Sequence, residues 1–238
     1  MHNGLIVRLK ATVTLKQRCA ASGAIEKRIV GSKSCKKDRQ YHVQIQSAQG
    51  GKSCGGSLIN TRWVITASHC SKSLEQDIAP AQQFTYRDDE EKAHDIMLIK
   101  LTEDVSAKLP TIKLPPLADC KRPEAGQQVE VGGWGAKKAD VLSDKTPQTL
   151  KCASTDMTAC TENDKPGSSY VSSEDTTMCA FRSGVEACFG DAGSAVEYNN
   201  LLHGIVVSDP VDKCANPIVM ADICHYRAWI DETMKKNP

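Results

Sequence analysis

The chain contains 238 residues, with 30 lysines and arginines against 29 acidic residues and a formal net charge of +1. This length allows one large folded unit or two smaller ones. The balanced charge provides no broad positive field to attract nucleic acid or an anionic membrane surface. Uninterrupted apolar runs never exceed four residues, as in Ile96 to Ile99, which excludes a transmembrane helix. We therefore expect neither nucleic acid nor a membrane as a partner.

The amino-terminal segment, residues 1–28, differs in composition from the rest of the chain. It is basic and ends in Glu26-Lys27-Arg28. Its apolar residues are interrupted by Arg8 and Lys10, whereas a secretory signal needs a longer apolar core. We interpret residues 1–28 as a leader or propeptide-like segment.

Short β-favouring runs recur after Arg28, separated by clusters of Gly, Pro, Ser and Asp. The runs are Val43 to Ile45, Trp63 to Thr66, Ile96 to Leu101, Val129 to Val131, Leu201 to Val207 and Ile218 to Met220. Many short strands between turns indicate an all-β sandwich or barrel. The proline-rich stretch from Lys113 to Gly126 is either a linker between two β halves or a loop within one.

Only the end of the chain is helical in pattern. Tyr226, Trp229, Ile230 and Met234 recur at spacings of three and four, which places them on one face of a helix. The acidic run Asp88 to Glu91 is interpreted as a solvated loop rather than a metal site, because like charges adjacent in sequence rarely converge on one ion.

Cysteine is abundant, with eleven residues and no C-x-x-C pair of the kind that binds zinc or does redox work. Disulfides are therefore the better interpretation, and they persist in oxidising compartments. We predict a secreted, extracellular protein, although the amino terminus itself does not look like a signal.

Three separated segments together carry a functional pattern. They are Thr66-Ala67-Ser68-His69-Cys70, Asp95 to Leu101, and Cys188 to Ala195. In this order they resemble the trypsin/chymotrypsin family of serine peptidases, and the resemblance extends over residues 29–238. Further matches are Arg28-Ile29-Val30-Gly31, Gly133-Trp134-Gly135 and Tyr226-x-x-Trp229-Ile230. Any one of these motifs alone would be weak.

The resemblance implies an all-β fold of two six-stranded antiparallel β-barrels with a C-terminal helix. The expected boundaries are about 29–122 for the first barrel, about 123–224 for the second and about 225–236 for the helix. Only 25 residues lie between His69 and Asp95, fewer than is usual in the family. We therefore expect loops, and a strand of the first barrel, to be missing, which puts the approach of His69 to Asp95 in question.

The resemblance also implies catalytic roles. His69 matches the base that accepts a proton from the nucleophile, and Asp95 matches the carboxylate that orients the imidazole. The nucleophile position is Ala192, whose methyl group has no proton to lose. Ser194 follows two residues later, where it is not expected to meet both His69 and the oxyanion donors.

Other parts of the family's machinery match this sequence. The backbone amides of Gly190 and Ala192 occupy the oxyanion-hole positions and need no side chain. Cleavage after Arg28 would free the Ile29 ammonium to pair with Asp191 and order the substrate pocket. The alternative is that Glu26-Lys27-Arg28 is an exposed linker and Asp191 a turn residue.

The primary specificity pocket departs from the family pattern. Glu186 stands where trypsin-like members have Asp, so a basic side chain could still be attracted. The expected wall is Val207, Ser208 and Asp209, and Ile218 stands where Gly is usual. Side chains at Asp209 and Ile218 would narrow or close the pocket. The alternative is that Glu186 and Asp209 are solvated loop acids.

Ten cysteines match the family's disulfide framework, while spacing alone could not select a pairing. The implied pairs are Cys35 with Cys152, Cys54 with Cys70, Cys120 with Cys224, Cys160 with Cys179, and Cys188 with Cys214. Cys19 is left over. No cofactor and no metal are expected, including calcium.

The leading hypothesis is a secreted, monomeric serine protease homologue that does not cleave peptide bonds and acts by binding a protein or peptide. The rival hypothesis is an active trypsin-like endopeptidase, with a preference for basic residues through Glu186, whose nucleophile was replaced by Ala192. A stored or structural protein without a specific ligand is a third possibility.

Overall fold

The computed structural model describes residues 32–35, 38–45, 53–73, 82–135, 150–166, 169–188, 190–208 and 214–238. Strands β1 to β7 are Lys33–Ser34, His42–Ile45, Cys54–Leu58, Trp63–Thr66, Gln83–Arg87, Ala93–Lys100 and Gln128–Gly133. Strands β8 to β12 are Lys151–Thr158, Thr177–Phe181, Ala195–Tyr198, Leu201–Val206 and Ile218–Asp222. Helix α1, Ile223–Lys236, ends the fold.

The strands form two antiparallel sheets. The second has the order β1-β8-β7-β10-β11-β12-β9, and a further pairing of β8 with β9 closes six of its strands into a barrel. The first has the order β2-β3-β4-β6-β5 and contains five strands within the described residues. These observations confirm the expected all-β architecture with a C-terminal helix. The short β1 pairs with β8, Lys33 opposite Cys152, and so joins the second sheet.

The adjacent strands β4 and β6 show why an uninterrupted apolar run forms a strand here. Successive side chains point to opposite faces, and both faces are buried. Ile65 and Leu98 face the large cluster that also contains Leu202 of β11. Val64 and Met97 face a separate cluster within the first sheet. Such strands therefore lose the alternation of apolar and polar residues that marks a half-exposed sheet.

Helix α1 packs on the large cluster through the face that the sequence predicted. Tyr226 and Ile230 are buried, and Trp229 and Met234 pack against the same cluster. The helix begins after Asp222, whose side chain accepts a hydrogen bond from the Cys224 amide at 2.9 Å and so caps the first turn. None of the helices in the described ranges is long and apolar enough to cross a membrane.

All five disulfides implied by the family resemblance are present. Two join residues more than a hundred positions apart, namely Cys35–Cys152 and Cys120–Cys224. The other three, Cys54–Cys70, Cys160–Cys179 and Cys188–Cys214, close shorter loops. Cys19 lies outside the described residues.

Candidate active site

A histidine and an aspartate are brought together by the neighbouring strands β4 and β6 of the first sheet. His69 lies in a short 3-10 turn, Ser68–Ser73, directly after β4, and Asp95 lies on the neighbouring strand β6. Nδ1 of His69 is 2.7 Å from Oδ2 of Asp95, and Oδ1 of Asp95 accepts the His69 backbone N–H at 2.9 Å. Both carboxylate oxygens therefore hold the histidine, and the short interval between the two residues does not prevent their pairing.

This pair is partly shielded from water, because the Asp95 side chain is only 2% exposed and the His69 side chain 13% exposed. An imidazole whose Nδ1 donates to a buried carboxylate keeps Nε2 as its basic nitrogen. The geometry is therefore that of a base held in one tautomer and one orientation.

A second histidine lies beside this pair, and sequence reasoning missed it. His94 precedes Asp95 on β6, is 4% exposed, and its Nδ1 lies 2.8 Å from the hydroxyl of Tyr226 on helix α1. Its Nε2 is 3.6 Å from Oδ2 of Asp88. Burial lowers the pKa of His94, and the Asp88 carboxylate opposes that shift. His94 thus links β6 to the helix just before Asp95, and its place beside Asp95 in the sequence was the available signal.

The residues from Gly190 to Ser194 form a compact turn before β10. The Gly55 amide donates to the Ala192 carbonyl and the Gly193 amide to the Val206 carbonyl, both at 2.7 Å. Ala192 is 5% exposed and belongs to the same buried cluster as Cys54 and Cys70. Those two sulfurs lie within 4.8 Å of a His69 ring nitrogen. Because the sulfurs form a disulfide, this group offers no thiolates to a metal.

The two amides proposed for the oxyanion hole remain available as donors. Within the described residues, neither the Gly190 N–H nor the Ala192 N–H donates to a backbone or side-chain acceptor. Gly190 has φ of 90°, a left-handed conformation that a side chain would disfavour. The turn can therefore present amide hydrogens to a ligand whether or not residue 192 carries a hydroxyl.

Ser194 does not take the place of the missing hydroxyl. Its side chain is fully buried and lies over Gly55, where its hydroxyl makes no hydrogen bond within the described part of the chain. It therefore forms no hydrogen bond to His69.

Asp191 is a buried carboxylate held by the backbone. It accepts hydrogen bonds from the amides of Gly135 and Cys188, each at 2.8 Å. Burial raises its pKa to about 7, and the two amide hydrogen bonds act in the opposite direction. Within the described residues it forms no ion pair with a cationic side chain. Arg28 and Ile29, predicted to supply its partner, lie outside the described residues.

The Gly133-Trp134-Gly135 motif has a steric explanation at this point. A Cβ on either Gly133 or Gly135 would overlap the Asp191 carboxylate. Two glycines therefore let the backbone close around one acidic side chain.

The predicted specificity residues lie on three segments of the second barrel, joined by two backbone pairings. Ala187 and Ala215 exchange backbone hydrogen bonds of 2.9 and 2.7 Å, next to the partly exposed Glu186. The Ser208 hydroxyl accepts the Val219 amide at 2.9 Å, and Val207 is buried. Asp209 lies outside the described residues.

Ile218 is buried in the second barrel rather than exposed in a cleft. It is 1% exposed and belongs to a cluster that includes Val185 and Ala187. Its side chain therefore occupies space that a glycine would leave open.

Comparison with known proteins places this geometry in context. The Trypsin family model matches residues 29–230. Kallikrein-8 from Rattus norvegicus is 31% identical over 210 residues, covering 77% of this chain and 78% of the relative. Trypsin-3 from Salmo salar is 31% identical over 234 residues (88% and 94%). Kallikrein-2 from Homo sapiens is 29% identical over an alignment of 269 residue positions, which covers 97% of this chain and 99% of the relative.

Solved structures agree. A scabies mite inactivated protease paralogue, S-I1, has a TM-score of 0.67 at 24% identity, which shows the fold alone. Neuropsin, a serine protease expressed in the limbic system of mouse brain, has a TM-score of 0.64 at 27% identity. Each alignment covers 87% of this chain and 100% of the other. The chain therefore belongs to the trypsin/chymotrypsin-like family of serine peptidases.

Proposed function

We propose that this protein is a serine protease homologue that binds a protein or peptide in a trypsin-like cleft and does not cleave it. One observation carries the proposal: the position that would attack a carbonyl is Ala192, and a methyl group has neither a lone pair to donate nor a proton for His69 to accept. Loss of the serine nucleophile costs on the order of 10⁶ in turnover in a related type of triad.

The remaining groups can hold a ligand without chemistry. The Gly190 and Ala192 amides occupy the family's oxyanion-hole positions, where a peptide carbonyl or a carboxylate would accept hydrogen bonds from both. The His69 imidazole, oriented by Asp95 through Nδ1, can accept at Nε2 a hydrogen bond from an N–H or O–H group of that ligand. None of these interactions requires a hydroxyl at residue 192.

The specificity pocket supports a ligand that does not insert a long basic side chain. Glu186 retains a negative charge there, but Ile218 packs against the Val185 and Ala187 cluster where an open pocket would need space. We therefore propose that binding relies on the ligand's main chain and on the loops around the cleft.

Activation and location complete the proposal. The buried Asp191 carboxylate lacks a cationic partner among the described residues, and cleavage after Arg28 would give it the Ile29 ammonium. Five disulfides favour an oxidising, extracellular location. We propose a secreted monomer.

The test compares the unaltered protein, cleaved after Arg28, with Ala192→Ser. Each is treated with a serine-directed covalent probe and with arginine and lysine ester substrates. We expect the unaltered protein to show neither labelling by the probe nor hydrolysis of the esters. Labelling and turnover by Ala192→Ser would favour the rival hypothesis of an endopeptidase that lost only its nucleophile, which the intact His69–Asp95 pair supports.

Two controls make this test decisive. Ala192→Ser combined with His69→Ala should lose any activity gained, because the new hydroxyl then has no base. Hydrolysis by the unaltered protein that disappears in Ser194→Ala would contradict the proposal. Binding is measured separately with a Kunitz-type inhibitor domain, a ligand that docks on trypsin-like clefts, in which the side chain that enters the specificity pocket is alanine. The absence of any affinity would count against a binding cleft.

A further inference from the structure

A group of buried polar side chains lies behind the Gly190–Ser194 turn, where the first sheet meets the second barrel. His42 on β2 pairs in register with Ser57 on β3, so their side chains share one face of the sheet. Gly55 lies two positions before Ser57 and faces the same way. We call His42, Ser57 and Ser194 the interior polar cluster.

Ser194 reaches this face from the other half of the molecule. A Cβ added to Gly55 would overlap the Ser194 hydroxyl and lie 3.0 Å from Cε1 of His42. The hydroxyl and the imidazole therefore approach the same point above Gly55. They are neighbours, yet they form no hydrogen bond with each other.

The cluster is fully enclosed. His42 is 3% exposed, and Ser57 and Ser194 are each 0% exposed. Within the described residues, both ring nitrogens of His42 and both serine hydroxyls lack a hydrogen-bond partner. An unsatisfied buried polar atom typically costs about 1–3 kcal/mol, and buried polar groups in folded proteins are nearly always satisfied by protein or by ordered water. One small ligand that both donates and accepts hydrogen bonds could satisfy several of these buried atoms at once.

The charge of the surroundings identifies the class of that partner. Burial and the nearby Arg39 lower the pKa of His42 to about 3, so the imidazole is neutral and offers one donor and one acceptor. The Arg39 guanidinium donates through Nη1 to the Ala195 carbonyl at 2.9 Å, and its Nη2 lies 3.7 Å from the Glu197 carboxylate, whereas its Nε has no hydrogen-bond partner within the described residues. Neutral groups that both donate and accept match a neutral ligand that does the same.

We propose that the interior polar cluster binds an internal water molecule that bridges the Ser194 hydroxyl and a ring nitrogen of His42, with the Ser57 hydroxyl as its third partner. Internal waters in proteins typically make about three hydrogen bonds to otherwise unsatisfied groups. The water would support the turn that carries Gly190 and Ala192 from behind, and would couple it to the first sheet.

The direction in which Ser194→Ala changes the Tm tests this proposal. If a water is bound, Ser194→Ala removes one of its partners and leaves His42 poorly satisfied, and we expect the Tm of the full chain to fall by about 2–4 °C. If the hydroxyl is unsatisfied, its removal leaves the Tm unchanged or raises it. The matched control is Thr155→Val, which removes another buried hydroxyl, on β8 of the second barrel, that has no hydrogen-bond partner in the part of the chain that the structure describes. A Ser194→Ala Tm equal to or above that of the control overturns the proposal.

A crystal structure of the unaltered chain at high resolution decides the same question independently of the variants. Solvent density within hydrogen-bond distance of both the Ser194 hydroxyl and a His42 nitrogen supports the proposal. A direct Ser194–His42 hydrogen bond, or a dry cluster, overturns it.

Discussion

The candidate active site is built from two halves that have diverged to different degrees. The half contributed by the first sheet keeps a histidine and a carboxylate at 2.7 Å, held by adjacent strands. The half contributed by the second barrel keeps the amide turn and the buried Asp191, but presents Ala192 and Ile218. In the second barrel, the positions that act through their backbone match the family pattern, whereas the side chains at Ala192 and Ile218 depart from it. Under the proposed function, this difference separates the ability to hold a ligand from the ability to react with it.

The largest predicted effect comes from restoring a serine at position 192 and then replacing Asp95 in the first sheet. In an Ala192→Ser protein that hydrolyses esters, the further change Asp95→Asn should lower kcat by about 10⁴, a magnitude known from other Ser-His-Asp enzymes, because the imidazole then adopts the wrong tautomer. Ester hydrolysis measured at saturating substrate checks this. Equal rates with and without Asp95→Asn would show that the first half does not function as a base.

The second test concerns the pH dependence that Asp191 gives to stability. Its pKa is raised from the ordinary 3.8 to about 7 in the folded state, so the folded protein binds this proton more tightly than the unfolded chain does. The contribution of this proton to the free energy of unfolding is therefore fully present below about pH 3.8 and is lost as the pH rises towards 7. The loss amounts to a few kcal/mol at most. Urea unfolding at pH 4, 5.5 and 7 measures it.

Asp191→Asn is the control for this prediction, because it should flatten the decline while the other carboxylates titrate as before. Pairing with the Ile29 ammonium after cleavage at Arg28 would lower the pKa of Asp191, so the cleaved protein should also lose the decline. A decline of equal size in Asp191→Asn would exclude this carboxylate as its source.

A smaller effect is expected where the backbone closes around Asp191. Gly133→Ala places a methyl group in overlap with the carboxylate and should reduce the free energy of unfolding by about 2 kcal/mol. Gly126→Ala is the comparison variant: nothing lies within 4 Å of its Cβ and its φ is 84°, so only backbone strain of about 1 kcal/mol applies. Chemical denaturation of both variants should rank them in this order.

The smallest predicted effect concerns the specificity pocket in the second barrel. Ile218→Gly removes a buried side chain from the pocket region and should increase the affinity for benzamidine on the order of tenfold, through access to the Glu186 carboxylate. Calorimetric titration of the variant and the unaltered protein checks this. No gain would indicate that the pocket is closed by other groups.

The extent to which the sequence predicts this molecule depends on the kind of feature. Several apolar runs, such as Trp63 to Thr66, were predicted by their pattern, whereas strand β9, Thr177–Phe181, was not predicted although four of its residues are consecutive apolar ones. Strand β3, Cys54–Leu58, contains two glycines and gave no such signal, because its strand conformation is imposed by pairing with β2 and β4. The disulfides and the His69–Asp95 pair were implied by the family resemblance, since spacing alone could not select a pairing of ten cysteines.

Features that depend on which side chains meet across the two halves were not predictable. Ser194 looks like a displaced nucleophile in the sequence, yet it lies over Gly55 beside His42. Arg39 crosses from the loop before β2 to the carbonyl of Ala195, and nothing local indicates that contact. In the sequence, His94 looks like an ordinary strand residue. Only the packing of helix α1 brings Tyr226 against it.

The long-range disulfide Cys35–Cys152 has a consequence for how this protein would respond to limited proteolysis. The surface loop around Lys108 is exposed and lies between Cys35 and its partner Cys152 in the chain. A single cut there would leave the fragments covalently joined, so the nicked molecule would migrate as one band on a non-reducing gel and as two after thiol treatment.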